Sequence, residues 1–245
     1  EEIVYLDRTG EVTHPRTGER VPPKFLGSSV PKISDDLDRR RALADWMTAP
    51  DNPFFARAAV NRIWFHLFGR GIVEPVDDFR DSNPPSNDEL LDGLAADFIA
   101  HGFDSKHMIR TIMNSRTYQL SSRPNPFNAE DSKYFSHATL RLLTAEQLLD
   151  AISQVTGSPE RFTGLPIGLR AAELPDGEYY NRFLRAFGQP QRSSACECER
   201  ESDSTLAQAL HLIGGRVVHN KLRSADGRVQ ALATGNTKET ELIDE

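Results

Sequence analysis

The segment PFFARAAVNRIWFHLFG, residues 53–69, is the most apolar helix that the sequence predicts. Asn52 can cap its start, Pro53 suits the first helical position, and Gly69 can end it. Placed at about 100° per residue, its side chains form one aliphatic arc and a second, aromatic arc. A helix that is apolar over most of its circumference is buried on most sides, so we expect the rest of its domain to surround it.

Two polar side chains, Arg57 and Asn61, fall one turn apart within the aromatic arc. A buried guanidinium needs a carboxylate, and the nearest acids follow the helix in GIVEPVDDFRD. We predict that Arg57 pairs with Asp77 or Asp78, in a structural network that includes Asn61. The alternative interpretation is a pocket in which Asp77 and Asp78 act as acid and base beside His66. The structural network is preferred, because such networks perturb carboxylates as readily as active sites do.

Start and stop signals predict further helices along the chain. The expected starts are Ser34, Ser86 with Glu89 as a capping box, Asp104, and Thr144 with Gln147 as a second box. The expected ends are Gly102 and Gly157. The segment STLAQALHLIGG predicts a last clear helix, with Leu206, Leu210 and Ile213 on one stripe. Residues 224–245 indicate one more helix.

Residues 1–31 have a different character. DRTG and PRTG supply two turns between short β-prone runs, which predicts an irregular β-hairpin or meander. The run VPPKFLGSSVPK then serves as an extended connector. A second loop-rich stretch with repeated prolines spans residues 158–203. The predicted fold class is therefore mainly α, with a short N-terminal β-hairpin or meander and a long loop-rich segment before the last helices.

We place the N-terminal β element and connector at residues 1–31 and the helical domain at residues 32–245. The sequence has no starting methionine, and it ends in a helix-like run, TKETELIDE, with no stop signal after it. We therefore expect a piece of a longer protein, with the helical domain truncated at its C-terminal end.

Charge and hydropathy argue against two classes of partner. The net charge of −7 over 245 residues disfavours nucleic-acid binding, which needs a basic face. No apolar run reaches the length that crosses a bilayer, so no membrane span is expected in this segment. A chain of this length can bury a sizeable core, so its stability does not require a disulfide or a metal.

The two cysteines of the chain, Cys196 and Cys198, lie one residue apart in SSACECERES. In a strand their Cα atoms are too far apart for a disulfide, and in a helix the side chains point away from each other. A turn could bring both thiols onto a zinc ion, with His211 as a third ligand. Three interpretations stay open: a metal site, a strained internal disulfide, and two thiols with neither role.

No recognisable catalytic motif occurs in the sequence: HExxH, CxxCH, GxSxG, a Walker loop and GxGxxG are all absent. Without CxxCH, this segment carries no covalent c-type haem of its own. The histidines, including His101 and His107, are scattered. We therefore favour a non-catalytic helical module, with an enzyme or redox/metal module using the aspartate pocket or the two thiols as the alternative. Tyr179, Tyr180 and Phe183 could bind carbohydrate, but we expect these rings to cover the core.

Four blocks of the chain carry a family resemblance: residues 40–99, SRTYQLSS, RLLTAEQLLDAI and CECERESDSTLAQALHLIGG. Together they resemble the planctomycete-specific cytochrome-associated family, domain of unknown function 1553. The resemblance covers nearly the whole chain, and the combination of blocks is specific.

The resemblance implies properties that composition does not. Members are typically modular, extracytoplasmic proteins, periplasmic or secreted, in which this domain follows a companion domain and often a c-type cytochrome module. The implied partners are companion domains of the same polypeptide, and an electron-transfer partner or a surface polysaccharide. The implied c-type haem lies elsewhere in the full-length protein. The resemblance supplies no catalytic residue.

Overall fold

The computed structural model describes residues 5, 10–27, 33–34, 38–175, 179–190 and 205–235. Within these ranges the chain is mainly helical and forms no sheet, which confirms the predicted fold class. Contacts between residues divide the chain into two compact units, residues 1–139 and 140–245. The boundary that we placed at residue 31 stays a prediction.

The expected β-hairpin or meander within residues 1–31 is not supported. Of the residues described there, only Thr13 and Arg20 form an antiparallel bridge, and no strand extends from it. Gly18, at φ 71°, turns the chain between the two bridge residues. Nearly all side chains of residues 10–27 are exposed. An isolated ribbon without a face to bury is only marginally stable, which explains why the pairing stops at one bridge.

Unit 1 is built around its second helix. Its helices are α1, Arg39–Met47; α2, Phe55–Phe68; α3, Asp88–Ala100; and α4, Ser105–Met113. α2 packs against both α3 and α4, as its apolar circumference predicts. The buried core residues are Ala56, Val60, Trp64, Ile72, Val73, Leu91, Ala95, Phe98, Met108 and Ile112.

The predicted cap of α4 is confirmed, whereas α2 begins two residues later than predicted, with Phe54 and not Asn52 as its N-cap residue. The Asn52 side chain accepts hydrogen bonds from the backbone at the start of α2, and Asp104 does the same for α4. The Ser34 cap is wrong, because the side chain of Asp38 caps α1. The Ser86–Glu89 capping box is also wrong: Asn87 caps α3, and the Ser86 hydroxyl instead donates to the carbonyl of Ile72 at 3.0 Å.

Unit 2 consists of short helices. They are α5, Ala145–Thr156; a 3-10 turn, Ala171–Glu173; α6, Arg182–Ala186; α7, Leu206–Gly214; α8, Arg216–Leu222; and α9, Arg228–Thr234. The capping box of Thr144 with Gln147 and the end of α5 at Gly157 are confirmed. The sequence did not predict α8, because Gly214 is the expected end of the last clear helix. In the structure Gly215 ends α7 and also begins α8.

A second core lies within unit 2. Its buried residues are Ala145, Leu149, Phe162, Ala171, Phe183 and Leu184. Lys221 on α8 is also buried, which is unusual for a lysine. None of the helices in the described parts of either unit has the length and apolarity that crossing a bilayer requires.

Candidate functional site

Asn61 is completely buried and holds the loop that follows α2. Its Nδ2 atom donates to the carbonyl oxygens of Val73 at 2.9 Å and Val76 at 2.8 Å. Its Oδ1 atom accepts a hydrogen bond from the backbone of Val73 at 3.0 Å. A side chain added at Gly71 would meet the Val73 carbonyl oxygen at 2.1 Å, so the loop also needs a glycine there. The bonds that Asn61 makes are those of a structural residue.

The predicted pairing of Arg57 with Asp77 or Asp78 is wrong. Arg57 instead binds two acids of α3, Asp88 at 2.6 Å and Asp92 at 2.5 Å. These acids are one turn apart on the helix that packs against α2, and this places both of them beside the guanidinium. The Arg57 side chain is 30% exposed, and both acids are more than half exposed. Arg57 therefore forms surface ion pairs that join α2 to α3, and its charge is not buried.

Asp77 and Asp78 bind two separate arginines. Asp77 accepts hydrogen bonds from Arg62 at 2.8 and 2.7 Å. Asp78 accepts hydrogen bonds from Arg80 at 2.5 and 2.6 Å, and this pairing raises the pKa of Arg80. Paired, partly exposed carboxylates of this kind are common in surface networks. The acid–base pocket with His66 stays a prediction.

Of the three predicted zinc ligands, only His211 lies within the described residues. Cys196 and Cys198 lie outside the described residues, so their role stays a prediction. His211 lies on α7, half-buried, with its ring 6.4 Å from that of Phe187.

The aromatic residues near α6 divide between core and surface. Phe183 is buried and stacks on Phe187 with ring centroids 4.3 Å apart, as we expected for a ring that covers the core. Tyr180 is exposed, and Tyr179 is half-buried. One exposed ring is a small platform for a sugar, so this region is a weak candidate site.

The strongest candidate site is an apolar surface on α7. Leu206, Leu210 and Ile213 share one side of this helix and are 77%, 60% and 86% exposed. We call these three residues the α7 outer face. Spacings of four and three residues bring their side chains into one stripe. The sequence predicted the stripe, but it did not predict that these side chains would be exposed and would not pack on the core of unit 2.

The opposite side of α7 faces the rest of unit 2 through Gln208 and His211. Gln208 donates from Nε2 to the carbonyl oxygen of Ala186 at 3.2 Å, and His211 contacts the ring of Phe187. Thr205 and Gln208 form a capping box that fixes the start of the helix. An amphipathic surface helix normally turns its apolar stripe towards the core, so α7 has the reverse orientation.

A family model described as PSD1, protein of unknown function (DUF1553), matches residues 39–245. The matched range contains every helix from α1 to α9, including α7. Comparisons with curated proteins and with solved structures give no match. The resemblance carried by the four sequence blocks is thereby confirmed, and the chain belongs to the DUF1553 family of proteins of unknown function.

Proposed function

We propose that this chain is a non-catalytic helical module of a larger polypeptide and that it docks against a companion domain through the α7 outer face. The observation that carries the proposal is the reverse orientation of α7, with Leu206, Leu210 and Ile213 exposed. Contiguous apolar surface on a folded protein marks an interaction site more often than scattered single residues do.

The energetics support docking. Burying a leucine or isoleucine side chain contributes about 1.5–3 kcal/mol. Covering the three side chains of the α7 outer face therefore contributes favourably to the free energy of docking. The orientation of the helix is also held by the capping box and by the bond from Gln208 to Ala186. The surface is thus presented by a helix that is already ordered, and less conformational entropy is lost on docking.

The choice of occupant follows from the family. The resemblance implies that this domain follows a companion domain of the same polypeptide, and a tethered partner reaches a small surface at high effective concentration. We therefore propose a companion domain as the occupant, within an extracytoplasmic protein whose c-type haem is carried by another domain. In this arrangement the module supports electron transfer or binding of a surface polymer, and performs no turnover.

The test compares the longer polypeptide with the 245-residue chain. We expect the backbone amides of α7 to exchange hydrogen more slowly in the longer polypeptide, because docking protects them. Ile213→Asp should remove this extra protection. The matched control is Ile167→Asp, at another exposed isoleucine of unit 2, which should leave the protection in place. Equal exchange of α7 in both proteins would contradict the proposal.

Light scattering of the 245-residue chain separates docking from self-association. We expect a monomer. A dimer that Ile213→Asp dissociates would assign the α7 outer face to a second copy of the chain and would overturn the companion-domain proposal.

A further inference from the structure

Two histidines and an aspartate meet at the corner between α3 and α4. Asp97 lies in the last turn of α3, His101 is the residue that ends this helix, and His107 lies in the first turn of α4. One carboxylate oxygen of Asp97 is 3.2 Å from Nδ1 of His101, and the other is 2.8 Å from Nε2 of His107. One oxygen and two ring nitrogens thus lie within 4.8 Å of one another.

We propose that Asp97, His101 and His107 form a binding site for a divalent transition-metal ion, with Zn²⁺ as the best match. Imidazole nitrogens and a carboxylate oxygen are preferred zinc ligands, and three protein ligands with one position for water make up an open zinc site. The side chains are partly exposed, so the fourth position is accessible to water.

The backbone of the corner that carries the three ligands is held firmly. Gly102 and Phe103 both adopt left-handed backbone angles, φ 62° and 61°, and reverse the chain within two residues. The backbone N–H of Phe103 donates to the carbonyl of Phe98 at 2.9 Å. The Phe103 ring contacts the rings of Phe98 and Phe55 at centroid distances of 5.4 and 5.7 Å. A left-handed phenylalanine is strained, and it persists here because its ring is packed against the core.

The electrostatics of the corner favour a cation. The C-terminal end of a helix carries partial negative charge, and Asp97 adds a carboxylate at that end of α3. A cation beside Asp97 therefore interacts favourably with both the carboxylate and the end of the helix. A metal ion bound by the Asp97 carboxylate offsets the negative charge at this end of α3.

Metal binding requires a change in ring orientation. The His101 and His107 rings are stacked with centroids 3.7 Å apart and planes 18° apart. An imidazole nitrogen binds a metal within the plane of its ring, so two stacked rings cannot both bind one ion. His101 is the ring that turns, because its side chain is 48% exposed and it ends a helix. Turning breaks the contact of its Nδ1 atom with the backbone carbonyl oxygen of Asp97 at 2.9 Å, which frees this nitrogen to bind the metal.

The experiment uses the full 245-residue chain with Cys196→Ser and Cys198→Ser, so that the two thiols cannot bind the added zinc. Calorimetric titration with ZnCl₂, followed by metal analysis after dialysis, should show one bound equivalent. The variants His101→Ala and Asp97→Asn should each fail to bind this equivalent of zinc. His219→Ala is the matched control, because this exposed histidine of α8 lies in the other unit, and the variant should keep the equivalent.

Circular dichroism checks that the variants are folded. His101→Ala is the decisive variant, because its half-exposed side chain can be truncated with little effect on the core. No bound zinc in the thiol-free chain, or unchanged binding in folded His101→Ala, would overturn the proposal. Ile213→Asp should bind zinc normally, so failure of the metal site and failure of docking by the α7 outer face are distinguishable.

Discussion

The Nδ2 atom of Asn61 lies 2.9 Å from the carbonyl oxygen of Val73, and both residues are buried. The same side chain also accepts the backbone N–H of Val73 at 3.0 Å. One side-chain amide therefore bonds three backbone groups of a loop that is itself neither helix nor strand. Because these groups are out of water, they depend on Asn61 for their hydrogen bonds.

Asn61→Leu should destabilise unit 1 by about 3 kcal/mol, because it leaves the buried backbone groups of Val73 and Val76 without their partner. Urea denaturation measures the change in the free energy of unfolding. Gln119→Ala, at an exposed amide of the same unit, should stay within about 0.5 kcal/mol of the unmodified chain. A similar small loss for Asn61→Leu would show that water replaces the bonds.

Arg57→Ala should cost about 1 kcal/mol, because its two acid partners are mostly exposed and solvent weakens the ion pairs. If Arg57 were buried, as its place in the aromatic arc indicated, Arg57→Ala would reduce the free energy of unfolding by a larger amount. A double-mutant cycle with Asp92→Asn isolates the pairwise energy. A coupling energy above about 2 kcal/mol would contradict the exposed-pair interpretation.

Lys221→Met should destabilise unit 2 by about 2–3 kcal/mol. The Lys221 side chain is only 7% exposed, and Nζ lies 2.8 Å from the carbonyl oxygen of Ser158 and 3.2 Å from the Glu160 carboxylate. Methionine fills a similar volume but leaves both oxygens without the ammonium. Thermal unfolding measures the loss, and Arg223→Met, at an exposed cation near the end of α8, is the control.

Glu160→Gln should cost more than Lys221→Met, because it leaves the charge on the more deeply buried member of the pair. A smaller loss for Glu160→Gln than for Lys221→Met would mean that the hydrogen bond to Ser158, and not the ion pair, dominates.

Local capping signals were predicted correctly for α4 and α5 and wrongly for α1 and α3, whereas the contacts between helices were not predictable. The caps at Asp104 and Thr144 depend on residues within the next turn, and both predictions were correct. The partners of Arg57 lie 31 and 35 residues away, on a helix whose packing direction the sequence does not specify. Proximity along the chain therefore favoured the wrong acids, Asp77 and Asp78.

The two candidate sites illustrate the same limit. Periodicity showed that Leu206, Leu210 and Ile213 share a stripe, but it does not state whether a stripe faces the core or the solvent. His101 and His107 look scattered in the sequence. They meet because Phe103 adopts a left-handed conformation, which nothing in the local sequence of a phenylalanine indicates.

Asp131→Asn should reduce the stability of unit 1 more at pH 7 than at pH 3. The pKa of Asp131 lies far below its ordinary range, because the Ser136 hydroxyl and the backbone N–H groups of Tyr134, Lys133 and Ser136 donate to the carboxylate. A lowered pKa in the folded state contributes stability above the pKa of the unfolded chain, about 3.9. This contribution is lost as the pH falls towards the folded-state pKa, since the unfolded chain binds the proton first.

Urea denaturation of the unmodified chain and of Asp131→Asn at both pH values measures the two differences in unfolding free energy. Ser136→Ala removes the side-chain donor and one part of the same network, so it should produce a smaller difference with the same dependence on pH. Equal differences at pH 7 and pH 3 would mean that the charge of Asp131 contributes nothing, and that its bonds to the backbone act only as neutral turn contacts.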